Sequence, residues 1–262
     1  MPDPPVTLAQ RSVLNLEEYA VGQDVVQGIK YIPDFVSQEE ANALISRITS
    51  MPESSWANLK RRRLQNHGGT PHPDGMLPER VPQFIDAVID AVVQAGIFSP
   101  EQRPNHVLLN EYKAGQGIMP HQDGPLYLPV VAILSLAGPA LLHFWSSLQA
   151  TKTGAPSASV LCMPNSLLVF SESAYQEHWH GILEEHADVV APHTVNLDSV
   201  RAHGITHGSV VSRGEKRLSL TVRMVLNVRA GERIMTGVAM EEERRKSNWW
   251  LSSRGEEGVV LR

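Results

Sequence analysis

Residues Arg217-Leu218-Ser219-Leu220-Thr221-Val222-Arg223 alternate without a break. Leu218, Leu220, Val222 and then Met224 fall on one face of an extended chain, and Arg217, Ser219, Thr221 and Arg223 fall on the other. That is the pattern of a strand with one apolar and one polar side. Similar short segments recur from Val107 onward: Val107–Tyr112, Leu128–Leu136, Leu141–Trp145, Ser159–Cys162 and Ser166–Phe170, with Arg217–Val225 the last. Gly, Pro and Asn punctuate them, which predicts an antiparallel sandwich or barrel. Upstream, Ile29–Phe35 is broken by Pro33 and suits an edge strand. Ser37 opens a helix with Glu40 three residues on, the capping-box spacing, and Ala41, Leu44, Ile45 and Ile48 follow before Pro52. Phe84, Ile85, Val88, Ile89, Val92 and Val93 form the stripe of a second helix, which Gly96 stops. Two helices ahead of a run of strands make the class α+β. Between Ser54 and Pro82 the periodicity vanishes, and a long irregular stretch in a compact domain suggests a functional lid. There is no internal repeat.

The 262 residues allow one barrel-type domain or two smaller ones. Hydrophobic residues make up 42% and charged residues 19%, which excludes wholesale disorder. Lys and Arg total 23 against 28 Asp and Glu, a net charge of −5, so any nucleic-acid contact must come from a local patch. The single cysteine, Cys162, excludes an intramolecular disulfide or a cysteine-built cluster and suits a reducing compartment. No apolar run is long enough to span a membrane, and residues 1–20, with Pro2, Pro4, Pro5, Glu17 and Glu18, lack a secretory signal and read as a poorly ordered arm. The expectation is a soluble protein of nucleus and cytoplasm. The charged run Glu241–Lys246 reads as a solvated helix face.

His121-Gln122-Asp123 is the first chemical signal. Residues i and i+2 of an extended chain point to one side, so an imidazole and a carboxylate can face one ion. His180, 57 residues after Asp123, offers a third ligand. Two histidines and a carboxylate on one face of a metal leave positions open, as in non-haem Fe(II) oxygenases. The same three groups also suit zinc, and His-x-Asp alone is met by ordinary polar residues.

The polar face of Arg217–Arg223 supplies more. The two arginine Cα atoms stand roughly 20 Å apart at about 3.3 Å per residue. Each side chain reaches about 6–7 Å at about 1.5 Å per bond. The gap left between them is comparable to the separation of the carboxylates of a five-carbon diacid, and arginine's planar fork suits a carboxylate. A solvated polar face is the alternative. Asn110 and Tyr112 share one face of their own segment and could each donate a hydrogen bond to a small anion.

Asn110-x-Tyr112-x-x-Gly115, His121-x-Asp123, His180-Gly181 and Arg217-x-Ser219-x-Thr221-x-Arg223, in this order, resemble the AlkB family of Fe(II)- and 2-oxoglutarate-dependent dioxygenases. The resemblance runs from about Ile29 to Val228. Arg63-Leu64-Gln65-Asn66 with Gly68-Gly69, Met76-x-Pro78-Glu79-Arg80, Gly117–His121 and Asp123–Tyr127 are closer still to its homologue-six subgroup. It implies a double-stranded β-helix core, of jelly-roll or cupin type, with supporting N-terminal helices. An N-terminal arm would cover 1–28, one oxygenase domain 29–230, a substrate lid 54–80 and a C-terminal extension 231–262. Fe(II), 2-oxoglutarate and O2 are implied, with His121, Asp123 and His180 as iron ligands. His178, two residues earlier, has similar spacing, but the His-Gly pattern favours His180. Arg217 would take the distal carboxylate of 2-oxoglutarate, with Asn110, Tyr112 and Arg223 helping to hold it.

The substrate implied is alkylated nucleic acid, RNA before DNA, oxidatively demethylated. The lid resembles the family's nucleotide-recognition loops in position. Lys60, Arg61, Arg62 and Arg63 form a basic patch, with His67 and His72 nearby. Gln65 and Asn66 extend it, and Trp56 could stack a base. Binding to single strands would be modest and salt-sensitive. A protein side-chain hydroxylase or demethylase with the same chemistry, or a binding module of low turnover, are the other readings. The 36 residues between His180 and Arg217 exceed the usual family spacing. They contain an insert over 183–212 with His186, His193, His203 and His207, which reads as a surface loop, a substrate-shaping element or a second metal site.

Overall fold

A computed structural model describes residues 6–72 and 74–229. Fifteen strands follow in chain order: β1 (Ile29–Ile32), β2 (Ala57–Asn58), β3 (Arg63–His67), β4 (Gly69–Thr70), β5 (Leu77–Pro78), β6 (His106–Lys113), β7 (Ile118–His121) and β8 (Val130–Leu136). Next come β9 (Ala140–Trp145), β10 (Ala158–Cys162), β11 (Leu167–Ser171), β12 (Trp179–Ile182), β13 (Ala187–Val189), β14 (Val210–Ser212) and β15 (Lys216–Arg223). The major sheet runs β1-β11-β8-β15-β6-β3-β2 and the minor sheet β10-β9-β12-β7, all antiparallel. The six strands expected from Val107 onward are all present, and Ile29–Ile32 is an edge strand.

Alternation gives the major sheet two distinct faces. Val107, Leu109, Leu134, Leu136, Leu218, Leu220 and Val222 bury one face against helices α1 (Gln38–Thr49) and α2 (Gln83–Gln94). The other face turns Val131, Ile133, Leu168 and Phe170 toward the minor sheet's Ala140, Phe144, Ala158 and Val160. The polar side of β15 is therefore enclosed between the sheets rather than solvated: Arg217, Ser219 and Arg223 are buried.

Helix α1 starts as its sequence dictates. Ser37 Oγ accepts from the Glu40 N–H at 3.2 Å, and Glu40 accepts from the Ser37 N–H at 2.8 Å. Glu40 also accepts from the Ala9 N–H and from Arg11, both at 2.6 Å. With Leu14 N–H bonded to the Ala95 carbonyl and Val6 buried, the described part of the arm packs on the helices. This corrects the expectation of a loose arm. Ser37→Ala should remove about 1 kcal/mol of stability, read from the denaturant midpoint.

Two further expectations are corrected. The stretch 54–82 is not without structure, because β3 lies in the major sheet, paired with β6 along its whole length. Arg-Leu-Gln-Asn-His carries no apolar alternation; the backbone ladder, not hydrophobic periodicity, places it. The 183–212 insert seals the β10 edge. Ser159 N–H donates to the His193 carbonyl and its own carbonyl accepts from Val195, both within 2.9 Å, while the Asn196 amide bonds both backbone groups of Leu161. Buried Arg213 anchors the insert by a two-pronged contact with Asp188 at 2.6 and 2.7 Å. An uncovered sheet edge is a template for aggregation, so the cover has a plain structural purpose. Among the described residues no helix is long and apolar enough to cross a membrane. Glu241–Lys246 and the rest of 231–262 lie outside the described residues.

Candidate active site

Strands β7 and β12 are neighbours in the minor sheet, and His121 stands directly opposite His180. Their ring centroids are 4.3 Å apart. Gly181 allows this approach: a Cβ there would lie 2.8 Å from the Ile118 carbonyl oxygen and 3.0 Å from Pro120. Asp123, two residues beyond the end of β7, turns its carboxylate to the same point. Ligand atoms of His121, Asp123 and His180 all lie within 4.8 Å of one another, the one such group among the described residues. His178 is not part of it; its Nδ1 is 2.8 Å from the Ser173 carbonyl. Neither do the insert histidines gather. His186 abuts Gly115, His193 lies beside His143, and His203 and His207 are exposed. The expectation of a second metal site there is not met.

The protonation states suit a cation. Burial holds His180 neutral, its pKa pushed down to about 3, with His121 and Arg223 adding to the effect. Burial also lowers the pKa of His121. His121 Nδ1 lies 2.9 Å from the Met119 carbonyl, and donation there leaves Nε2 with its lone pair. Burial alone would raise Asp123, but Arg223 and the two histidines outweigh it and hold the carboxyl ionised. Arg223 donates to Asp123 Oδ1, and its guanidinium lies 4.2 Å from the centroid of the Tyr127 ring. Asp123 Oδ2 is buried without a hydrogen-bond partner. A buried, ionised oxygen beside two neutral imidazoles is what a metal ion would satisfy.

The same cavity is lined at its other end by Asn110, Tyr112, Arg217 and Ser219. Arg217 is 3% exposed; its Nη2 donates to Ser135 Oγ at 3.0 Å while its Nε–H is buried without a partner. Both arginines of β15 line this cavity, Arg217 at one end and Arg223 at the other beside Asp123. Arg223 is turned to Asp123 because a buried guanidinium is stable only with an anion beside it. Apart from Thr221, the remaining wall is apolar: Leu108, Ile118, Ile133, Leu142 and Ile182. Phe144 and Phe170 pack on His180, and with Tyr127 they belong to the site without having stood out in sequence, since aromatic residues among strands read as core.

The lid candidates divide by strand parity. Asn66 faces the cavity side, its Oδ1 3.1 Å from buried His106 Nε2. Gln65 falls on the opposite, helix-facing side, bonded to Ser55, which corrects its expected place at the substrate. The basic run is not a solvated patch. Arg61 contacts Glu184, Arg62 is buried against Asn110, and Arg63 grips Glu111 at 2.8 and 3.0 Å. Arg63 also lies over Trp56, which is packed rather than open for stacking. Lys60 is exposed.

Residues 57–223 match the model of the 2OG-Fe(II) oxygenase superfamily. The chain is 37% identical over 222 residues to "Probable RNA/DNA demethylase ALKBH6" of Danio rerio, covering 82% of this chain and 92% of that protein. The chain belongs to the 2OG-Fe(II) oxygenase superfamily, in its AlkB branch. It is also 27% identical over 207 residues to an uncharacterised protein, L905, of Acanthamoeba polyphaga mimivirus (77% of this chain, 86% of that one). Among solved structures, OsALKBH1 superposes with a TM-score of 0.52 at 16% identity, over 75% of this chain and 96% of that chain. A 2OG-Fe(II) oxygenase-family oxidoreductase from Burkholderia pseudomallei gives 0.50 at 14% identity, over 86% and 99%. These two likenesses support the double-stranded β-helix core. As a 2OG-Fe(II) oxygenase the protein is an oxidoreductase that uses Fe(II), 2-oxoglutarate and O2.

Proposed function

We propose that this oxygenase holds Fe(II) through His121, Asp123 and His180, takes the distal carboxylate of 2-oxoglutarate on Arg217, and oxidatively demethylates alkylated nucleic acid, RNA before DNA. The observation that carries the site is the unpartnered buried Asp123 Oδ2 between two neutral histidines, in a cavity whose other end holds buried Arg217. Bound iron supplies the O2 chemistry that couples 2-oxoglutarate decarboxylation to oxidation of a substrate C–H bond.

The chain's own residues do the rest. Arg223 fixes the Asp123 carboxylate so that one oxygen is engaged and the other faces the histidines. The Met119 carbonyl fixes the His121 tautomer. Asn110 and Tyr112 offer donors near Arg217, and the aliphatic wall keeps water from the cavity. Arg217→Ala should raise KM for 2-oxoglutarate about 10- to 100-fold, the loss of a charge-assisted hydrogen bond, with kcat recovered at high cosubstrate. Arg217→Lys should fall between, since an ammonium cannot grip a carboxylate with two parallel N–H groups. An unchanged KM in both would remove Arg217 from the cosubstrate site.

Support for the nucleic-acid substrate is the name of the Danio rerio relative, together with Asn66 on the cavity side. Arg62 is held by Asn110, Arg63 by Glu111 and Arg61 by Glu184, so Lys60 is the residue of the run left to meet a phosphate. One phosphate contact to a single strand predicts a slope of about −0.7 in log affinity against log salt. A slope steeper than about −4 would place the phosphates on a different surface. The deciding experiment follows succinate with Fe(II) and ascorbate, with and without N-methylated RNA, DNA and peptides. Succinate and formaldehyde that rise with methylated RNA support the reading; a rise with peptides alone moves the substrate to protein.

A further inference from the structure

Arg61, Arg62 and Arg63 leave the turn before β3 in three directions. Arg61 meets Glu184 of the segment after β12, and Arg63 grips Glu111 and Glu53 on the helix-facing side. Arg62 turns toward the cavity side of the major sheet. It is 7% exposed, and its Nε–H donates to Asn110 Oδ1 at 2.9 Å. Arg62 lies two residues before Leu64, which pairs with Asn110, and Asn110 pairs in turn with Ser219 of β15. Asn110, Ser219 and Arg217 all line the cavity.

A guanidinium has donors and no acceptor. Asn110 must therefore offer Arg62 its amide oxygen, and its NH2 group is turned away from Arg62. Without that partner the amide could rotate by half a turn and present oxygen, which repels a carboxylate, where it had presented a donor.

We propose that Arg62 is a positioning residue for the cosubstrate: it locks the Asn110 side chain with its NH2 toward the cavity, where a carboxylate or keto oxygen of 2-oxoglutarate accepts from it. This rests on the reading of Asn110 as a cosubstrate contact. The basic residue that sequence reading assigned to substrate phosphate thus serves the cosubstrate.

The test is 2-oxoglutarate affinity measured by calorimetry on protein loaded with Mn(II), so that no turnover is needed. Arg62→Met should weaken 2-oxoglutarate binding about 10- to 100-fold while Mn(II) affinity changes by less than about twofold. Asn110→Ala should weaken it comparably, and the double variant should be no weaker than Asn110→Ala alone, because the two act as one unit. Asn110→Asp is the second test: its carboxylate pairs with Arg62 and keeps the fold, but offers no N–H to the cavity. It should lose 2-oxoglutarate affinity without a fall in melting temperature. If Asn110→Ala leaves affinity unchanged, the reading of Asn110 itself fails. If Asn110→Ala weakens binding but Arg62→Met does not, or if their losses multiply, the role of Arg62 is overturned.

Discussion

Replacing Asp123 by Ala is expected to lower metal affinity by more than about 100-fold, since even indirect supports of a metal ligand are worth 10- to 100-fold. Succinate formation should fall with it. The variant should also lose stability in the metal-free state. Arg223 is buried and bonded to Asp123, so truncating the carboxylate leaves a guanidinium without its anion, a loss of about 3–5 kcal/mol. The two effects separate in a double variant. Asp123→Ala with Arg223→Met should regain much of the melting temperature, because the stranded charge is gone, and none of the metal binding. Unfolding in chelator and calorimetric metal titration measure the two quantities. Retained metal and turnover in Asp123→Ala would place the centre elsewhere.

Mild acid should unfold the metal-free protein. Burial pushes the pKa of His67 and of His143 down to about 4 and that of His106 well below its ordinary value. Their unfolded pKa is near 6.5, above the folded value in each case. The unfolded chain therefore takes up protons first. The stability these residues contribute is complete above about pH 6.5 and is lost as pH falls toward 4. Three protons correspond to a slope of about 4 kcal/mol per pH unit within that window. His121 and His180 shift in the same direction, and protons then compete with the metal as well. Denaturant midpoints at pH 7.5, 6 and 5 measure this. His67→Phe should flatten the profile by about one proton. A midpoint that does not move between pH 7.5 and 5 would contradict the burial of these rings.

What could be read without coordinates followed the periodicity. Strand β15, helices α1 and α2 and the capping box at Ser37 announce themselves because apolar side chains repeat at period 2 or 3.6. β3 does not, since Gln65 and His67 are buried on the helix side against Ser55 and Phe84, and Arg63 is held there by Glu111, partners that only folding brings together. β7 and β12 are four residues each, too short for periodicity to register. At the site, the His-x-Asp spacing marked out the residues the structure gathers with His180, because i and i+2 share a side on any extended chain. The partners at distance stayed hidden. Nothing local links Arg223 to Asp123, 100 residues away, or Arg62 to Asn110, 48 away. Gln65 was misplaced for a simpler reason: within a strand, one residue's difference reverses the face.

β7 is the outermost strand of the minor sheet and has β12 on one side only. A cation shared by His180 on β12 and by His121 and Asp123 at the end of β7 would rivet that margin shut. Solvent exchange of the β7 amides should therefore slow on loading, a record of occupancy independent of turnover. A chain deprived of iron would carry a loosened margin on which copies could stick. Iron supply would then govern how long the protein lasts as well as how fast it works.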